Sequence, residues 1–365
     1  VKKVSVLHTE ASTGWGGQEI RVLDEMLGMR ARGYELAIAA APGSAIIARA
    51  ARAGIDAYAV DMGRRGMVRG VRDIMRIIKT RKIAIINTHS SKDSWMGSVA
   101  GRLSGIKVLR TRHISSDFNV NPFTRLIYGR LCDGIITTGG FIKDQVVREL
   151  GINPRKVHPI PTGIDGSRFS NTGGPEIRGE LGIPEGSKVI GIAAALRSWK
   201  GHEYILRAMP EVLREFPDTR LIVAGEGDMR IFIEGLTGEL GISGAVIMTG
   251  HRDDINRVIA AFDISVMASY ASEGVPQFAL QSMAMGKPLI GTAVGGIPEV
   301  IKDGVNGIIV PPRDYSAIAA AVIGLLRDEA LARRMGEEGA KMFLAAHTSE
   351  KMLDKLEALY GELLA

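Results

Sequence analysis

One cysteine, Cys132, stands in 365 residues, so no intrachain disulfide can form and the composition suits a reducing compartment. The seven histidines nowhere combine with that cysteine at metal-ligand spacing, and the chain has no Asp-x-Asp. A divalent cation holding a diphosphate would need such carboxylates, so no metal is expected. Long apolar runs are missing too, and the opening VKKVSVLHTE passes from a basic pair straight into a strand pattern, with no signal-peptide core. A cytoplasmic protein without a spanning segment is the expectation. Aromatic residues are 5% of the chain and do not alternate with the basic ones, which argues against nucleic acid as a partner because stacking platforms are absent.

What is present is apolar residues at 45% and 45 glycines, a composition suited to helices packed closely on a parallel sheet. The length exceeds what one core usually serves, so two domains are expected. Net charge is +6 but uneven. Residues 1–165 hold 26 Lys and Arg against 14 Asp and Glu, whereas residues 166–365 hold 20 against 26. The densest basic stretch, MGRRGMVRGVRDIMRIIKTRKI, places Arg64, Arg65, Arg69, Arg72, Arg76, Lys79, Arg81 and Lys82 among Met and Ile residues. Two readings stay open for it: a basic amphipathic helix on an anionic membrane surface, gaining about 1 kcal/mol per basic residue, or a solvated helix whose apolar stripe packs on the sheet. The charge of the whole half favours an anionic surface or an acidic acceptor.

Both halves alternate apolar runs with amphipathic segments. The first gives VSVLH, a helix from Gln18 to Arg32, ELAIAAA, a helix from Ser44, AYAV, the basic helix, IAIINT, a helix from Ser94, KVLRT and GIITT. The second gives KVIGIAA, a helix from His202 to Glu215, RLIVAG, AVIMT, DISVMAS, PLIGT and GIIV. These are α/β patterns of two doubly wound Rossmann-like domains, whose strand ends would border one cleft. HPIPTGIDGSRFSNTGGPE is the expected linker, which gives domains at 1–165 and 166–346. Residues 347–365 form an amphipathic helix with Met352, Leu356, Leu359 and Leu363 on one face.

SEGVPQFALQSMAMGKPLIGTAVGGIPEVI is the most informative block. Pro276 suits a first helical turn, and Gly286 with Pro288 supplies a stop, so a short helix from Val275 to Met285 is expected. Its free N–H groups would face an anion, with Glu273 and Gly274 in the approach loop. Gly295 and Gly296 make a second loop from the neighbouring strand.

Four other loops carry candidate groups. HTEASTGWGGQE has Gly14, Gly16 and Gly17, but Glu19 occupies the third glycine position of a dinucleotide fingerprint and the second strand ends in alanines. A nicotinamide cofactor is therefore not expected, while the Gly16 and Gly17 amides are free to approach a diphosphate, or simply to make a tight turn. Arg197 and Lys200, just past the first strand of the second half, suit a diphosphate leaving group. His89 and His113 each follow a strand, where an imidazole can bond a sugar hydroxyl or a carbonyl, or simply be a satisfied loop histidine.

Together these segments resemble, nearly end to end, the retaining glycosyltransferases of GT-B fold often called family 4, or glycosyl transferases group 1. GGQEIRVLDEMLGMRARGYEL resembles that family's N-terminal glycine loop and helix, IPTGIDGSRF its interdomain signature, RSWKGHEYI its phosphate-binding segment and the Glu273 block its donor site. The resemblance implies transfer of a sugar from a nucleoside diphosphate sugar, UDP-sugar favoured, without cofactor or metal, to a glycan or lipid-linked acceptor of bacterial envelope synthesis. It implies a final helix that returns to the N-terminal domain, and a protein that works in the cytoplasm against the inner membrane face. It places Arg197 and Lys200 on the donor diphosphate, Gly274, Val275, Pro276 and Gln277 around donor sugar and phosphate, and Glu273 on the sugar ring. His113 would stand near the reacting centre, Gly16 near the phosphates and Arg252 near the base. The family's second acid, seven residues after the first, is Gln281 here; a glutamine accepts and donates one hydrogen bond each where a carboxylate only accepts. A sugar-nucleotide epimerase or hydrolase on the same scaffold, and a non-catalytic sugar-nucleotide-binding protein, are the other readings.

Overall fold

A computed structural model describes residues 4–169, 173–271 and 273–365. Val1 to Lys3, Ser170 to Thr172 of the expected linker, Ser272 at the head of the Glu273 block and the Arg64 side chain lie outside the described residues. The chain divides into two compact units, Val1–Gly163 with Ser349–Ala365, and Ile164–Thr348.

The first unit holds a seven-stranded sheet in the order β3-β2-β1-β4-β5-β6-β7, every neighbour pairing parallel. Its strands are β1 Ser5–Glu10, β2 Glu35–Ala40, β3 Asp56–Ala59, β4 Ile85–Thr88, β5 Lys107–Arg112, β6 Gly134–Thr137 and β7 Val157–Pro159. Parallel neighbours need crossovers, and the helices that supply them bury both sheet faces, which is why these strands read as near-continuous apolar runs. Helix Met67–Arg81 packs on one face through Gly70, Ile74, Ile77 and Ile78, and helix Gly17–Ala31 on the other through Val22, Met26 and Met29.

The basic helix thus uses its apolar stripe for the core, as the second of the two readings has it. Its other face leaves Arg69, Arg72, Arg76 and Lys79 exposed together with Met67 and Val68. A groove of about 620 Å³ runs beside it, lined by Arg72, Met75, Arg76, Lys79, Lys82 and Ile106 among others.

The final helix, Ser349–Leu364, is part of the first unit. Met352, Leu353, Leu356, Leu359 and Tyr360 are buried in the same cluster as Val22, Met26 and Met29, each side chain contributing on the order of 1.5–3 kcal/mol. Tyr360 and Leu353 extend the expected stripe, while Leu363 is only partly buried. Arg32 fastens the outer edge, 2.8 Å from Asp354 and 2.9 Å from Glu357.

The second unit repeats the plan with six parallel strands ordered β10-β9-β8-β11-β12-β13. They are β8 Val189–Ala193, β9 Arg220–Ala224, β10 Val246–Gly250, β11 Ile264–Met267, β12 Leu289–Thr292 and β13 Gly307–Val310. In each sheet the strand order reverses beside the first strand, between β1 and β4 and between β8 and β11, and in open α/β sheets ligands bind at the carboxyl ends of strands at such a point.

Several boundaries differ from expectation for local reasons. His158 and Pro159, placed in the linker, close β7; Pro is tolerated there because β7 is the sheet's edge strand. The helix expected from Ser94 starts at Ser91, since Ser90 and Asp93 form a capping box one turn earlier. Helices expected from Gln18 and Ser44 begin at Gly17 and Ala45. The helix expected from Val275 to Met285 is Gln277–Ala284: Pro276 has an extended backbone and serves as N-cap, and Val275 packs into the core.

Candidate functional site

In the second unit the loops leaving β8 and β11 meet at the reversal of strand order. The β8 loop turns through a short 3-10 segment, Ser198–Lys200, and then Gly201, whose φ of +71° and closeness to the Ala268 carbonyl leave no room for a side chain. The tight turn seats the β8 loop on the β11 loop, and the Tyr270 amide donates to the Trp199 carbonyl at 2.9 Å. Lys200 Nζ then lies 2.6 Å from Glu273 Oε1, and the same oxygen accepts from Ser269 Oγ at 2.6 Å. Glu273 is 5% exposed.

A third loop locks the arrangement. The Gly296 amide donates to the Glu273 carbonyl at 3.2 Å, and a Cβ at Gly296 would stand 2.7 Å from the Gly274 carbonyl carbon. The glycine pair therefore lets the loop after β12 lie against the Glu273 loop. Beyond it, helix Gln277–Ala284 begins directly after Pro276, with the positive end of its dipole at that start. Gly274 and Val275 are buried while Pro276, Gln277 and Gln281 are half-buried. Pro276 has no amide to offer, so among residues 274–277 only the other three can donate from the backbone.

Arg197 is exposed, its guanidinium 5.2 Å from the Trp199 ring centroid, a cation–π contact. Lys200 differs from the pair of open cations read from sequence, because its charge is already met by Glu273. Arg252, on the loop leaving β10, is engaged by other groups: it donates to Asp254 at 2.7 and 2.8 Å and to Glu180 at 2.8 Å, and these carboxylates raise its pKa above the ordinary range. A base contact by Arg252 would have to compete with that ion-pair network.

In the first unit the reversal point gathers a different chemistry. His8 on β1, His89 after β4 and His113 after β5 form a ladder: His8 Nδ1 is 2.9 Å from His89 Nε2, and His89 Nδ1 is 3.0 Å from His113 Nε2. His8 and His89 stack within 6° of parallel. Burial lowers all three below the usual imidazole range, His8 to about 3. Arg21 and Arg110 lower His89 and His113 further. Asp93, fully buried, fixes the ladder's surroundings by accepting from Thr9 Oγ1 at 2.7 Å and from the His89 amide at 2.9 Å.

Glu10, at the end of β1, accepts from the Ser12 amide at 2.8 Å and from Gln18 at 2.5 Å. Burial, then Asp93, raises its carboxyl to about 7. The glycine loop is therefore braced by acids at both ends, since the Gly16 amide donates to Glu19 at 2.9 Å in a capping box. The Gly16 amide, read from sequence as able to approach a diphosphate, is met here by Glu19, so a phosphate at that position would have to displace the carboxylate. Gly17 is the first residue of the helix so capped.

Among the described residues no group of three His, Cys, Asp or Glu is arranged to hold a metal, and no helix is long and apolar enough to cross a membrane.

Residues 174–342 match the family described as Glycosyl transferases group 1, and residues 15–168 match Glycosyltransferase Family 4. The chain belongs to these glycosyltransferases. It is 29% identical over 266 residues to the N-acetyl-alpha-D-glucosaminyl L-malate synthase of Bacillus anthracis, covering 71% of this chain and 68% of that one. It is 23% identical over 309 residues to the Escherichia coli UDP-Gal:alpha-D-GlcNAc-diphosphoundecaprenol alpha-1,3-galactosyltransferase, covering 80% and 78%. The Anabaena protein HepE, solved in complex with UDP and glucose, superposes with a TM-score of 0.89 at 18% identity over 98% of this chain and all of that one. The fold is GT-B, two Rossmann-like α/β domains.

Sequence reading of this glycosyltransferase missed His8, Asp93 and Glu10, and treated His89 and His113 as separate loop histidines. The β1 to β4 register pairs His8 with Asn87, which puts position 8 two residues from His89 across the sheet. That signal appears only once strand order is known. Ser269 was missed because nothing local marks a serine four residues before an acid as its hydrogen-bond partner.

Proposed function

We propose that this glycosyltransferase binds a nucleoside diphosphate sugar, UDP-sugar favoured, at the strand-order reversal of its second unit, and moves the sugar to a glycan or lipid-linked acceptor. The observation that carries the reading is the Lys200–Glu273 ion pair seated at the ends of β8 and β11, with Arg197 in the same loop and the Gln277–Ala284 helix N-terminus following Glu273. A diphosphate arriving there meets Arg197 and Lys200, and the charge that grows on it as the glycosidic bond breaks is what fixed cations stabilise best. Lys200 would exchange part of its contact with Glu273 for the phosphate, which frees the carboxylate to bond sugar hydroxyls. Glu273 is held by two donors on one oxygen, which suits orientation of a sugar better than attack upon it. We therefore favour retention by same-face transfer, in which the leaving phosphate takes the acceptor's proton. No metal or cofactor enters this scheme. His113, at the strand ends of the first unit, is the residue of that unit proposed to act in the reaction.

UDP is favoured by the names of the relatives: the Escherichia coli enzyme uses UDP-Gal and HepE was solved with UDP. The same enzyme's diphosphoundecaprenol acceptor supports a lipid-linked acceptor and a role in envelope polysaccharide or lipopolysaccharide synthesis at the cytoplasmic face of the membrane. The exposed basic face of helix Met67–Arg81, with Met67 and Val68 exposed beside it, supports peripheral contact with anionic lipid.

A thermal-shift screen with UDP-, GDP- and ADP-sugars, using Arg197→Ala as control, tests the donor site. A shift with UDP-sugars that the variant loses is expected; equal shifts in both proteins would sink the phosphate site. Donor consumption that needs an acceptor separates transfer from hydrolysis or epimerisation. Vesicle flotation tests the membrane contact, and recovery that ignores the anionic lipid content removes it.

A further inference from the structure

The ladder His8–His89–His113 has more order than three buried histidines require. A neutral imidazole carries one N–H and one lone pair, so two N···N hydrogen bonds in series have only two proton arrangements. Either every ring holds its proton on Nδ1 or every ring holds it on Nε2. A mixed state would set two lone pairs or two protons against each other at 2.9 or 3.0 Å.

The ends of the ladder decide between them. His8 Nε2 is buried, and no described residue bonds it. At the other end His113 is half-buried, and its Nδ1 lies outside the ladder. A buried N–H without an acceptor is rarer in folded proteins than an under-used acceptor, because the donor has one direction in which to be satisfied and loses it entirely. The arrangement with all protons on Nε2 buries such an N–H at His8. The arrangement with all protons on Nδ1 leaves a lone pair there instead, and delivers an N–H to the half-exposed end.

We propose that His8 and His89 are positioning residues that fix the tautomer of His113, so that it presents an Nδ1–H donor. Neutral His113 then offers a hydrogen bond to an oxygen of a ligand at the first unit's strand ends, a hydroxyl or phosphate oxygen, and has no lone pair on that side with which to accept a proton. It is a donor in the reaction, not a base. Arg21 and Arg110, both close enough to disfavour a protonated ring, keep the ladder in the neutral form that this relay needs. The part of the inference that concerns substrate rests on the proposed role of His113 in the reaction.

The test reads the tautomer directly, without substrate. The full chain labelled with [15N]histidine is examined at pH 7.5 by long-range proton–nitrogen correlation, with His113 assigned from a His113→Gln variant. A protonated Nδ1 and bare Nε2 on His113 are expected. His89→Leu should lose that signature, and His89→Gln, whose amide can still donate to His113 Nε2, should restore it. Wild-type His113 with its proton on Nε2 would overturn the proposal, as would an unchanged signature in His89→Leu. If the leucine variant does not fold, the wild-type spectrum decides alone. The catalytic reading fails separately: His113→Ala with undiminished sugar transfer would remove His113 from the reaction and leave the tautomer result standing.

Discussion

Lys200 and Glu273, 73 residues apart, meet at 2.6 Å with their side chains 24% and 7% exposed, and so tie the loop after β8 to the loop after β11. Removing one partner of such a pair costs more than the pair itself contributes, since the remaining charge stays in a poorly solvated place. Lys200→Met is expected to destabilise the second unit by about 2 kcal/mol, a figure below the range for a fully buried pair because Lys200 still reaches solvent. The double variant Lys200→Met with Glu273→Gln should recover part of that loss. Urea unfolding of the four proteins of the cycle measures the coupling, and strict additivity would show that the pair has none.

Gln281 stands where the family pattern places a second acid. Gln281→Glu returns an acceptor-only group, to which the ribose hydroxyls of the proposed sugar nucleotide would donate more strongly than to an amide oxygen. We expect tighter sugar-nucleotide binding by about 1 kcal/mol, roughly fivefold, by calorimetry. A weaker complex would mean that Gln281 donates to the ligand.

Gly201 is tied to its identity twice, by a left-handed backbone and by the Ala268 carbonyl, which a Cβ would approach to 1.9 Å. Gly201→Ala should cost about 3 kcal/mol and widen the gap between the two loops. A thermal midpoint equal to wild type would show that the turn relaxes freely.

The pH dependence of the first unit follows from groups that pull in opposite directions. Burial holds His8 at about 3 against 6.5 in the unfolded chain, with His89 and His113 also well below 6.5. The unfolded chain therefore takes up protons that the folded one refuses, so this stability is complete above 6.5 and is lost as pH falls from 6.5 toward 3. Glu10 is raised from 4.5 to about 7, so its contribution is present below 4.5 and is lost as pH rises through 7. A tenfold difference in proton affinity between the folded and unfolded chain corresponds to about 1.4 kcal/mol. Burial raises Asp93 and Glu25 in the same direction as Glu10, so three carboxyls oppose three rings and the informative quantity is the difference made by removing one carboxyl. Relative to wild type, Glu10→Gln should make denaturant midpoints rise more steeply from pH 4.5 to pH 7. A profile unchanged by Glu10→Gln would show that Glu10 keeps an ordinary carboxyl pKa in the folded state.

Leu356 is fully buried where the final helix lies against helix Gly17–Ala31. Leu356→Ala should cost about 2–5 kcal/mol of first-unit stability and expose residues 349–364 to limited proteolysis. Resistance equal to wild type would mean that the helix is held chiefly by Arg32.

How much of this was legible in sequence depended on whether the cause was local. The run of apolar strands and the helix His202–Glu215 are written in periodicity and read correctly, and Arg197, Lys200 and Glu273 are marked by their place after strands. Pro276 misled, because proline suits both the first helical turn and the N-cap, and only the packing of Val275 decides between them. Gly16 shows a different limit: a glycine says that an amide can be approached, while the partner that meets it, Glu19 three residues on, is written only in the capping-box spacing. The histidine ladder was out of reach, since it depends on β4 lying beside β1 and β5 beside β4.

Because residues 349–364 complete the core around Val22 and Met26, the first unit is discontinuous, whereas the second is one unbroken stretch. The core of the first unit closes only where residues 349–364 join it, so cutting the chain after residue 348 would leave the second unit's core whole and strip the first of a wall.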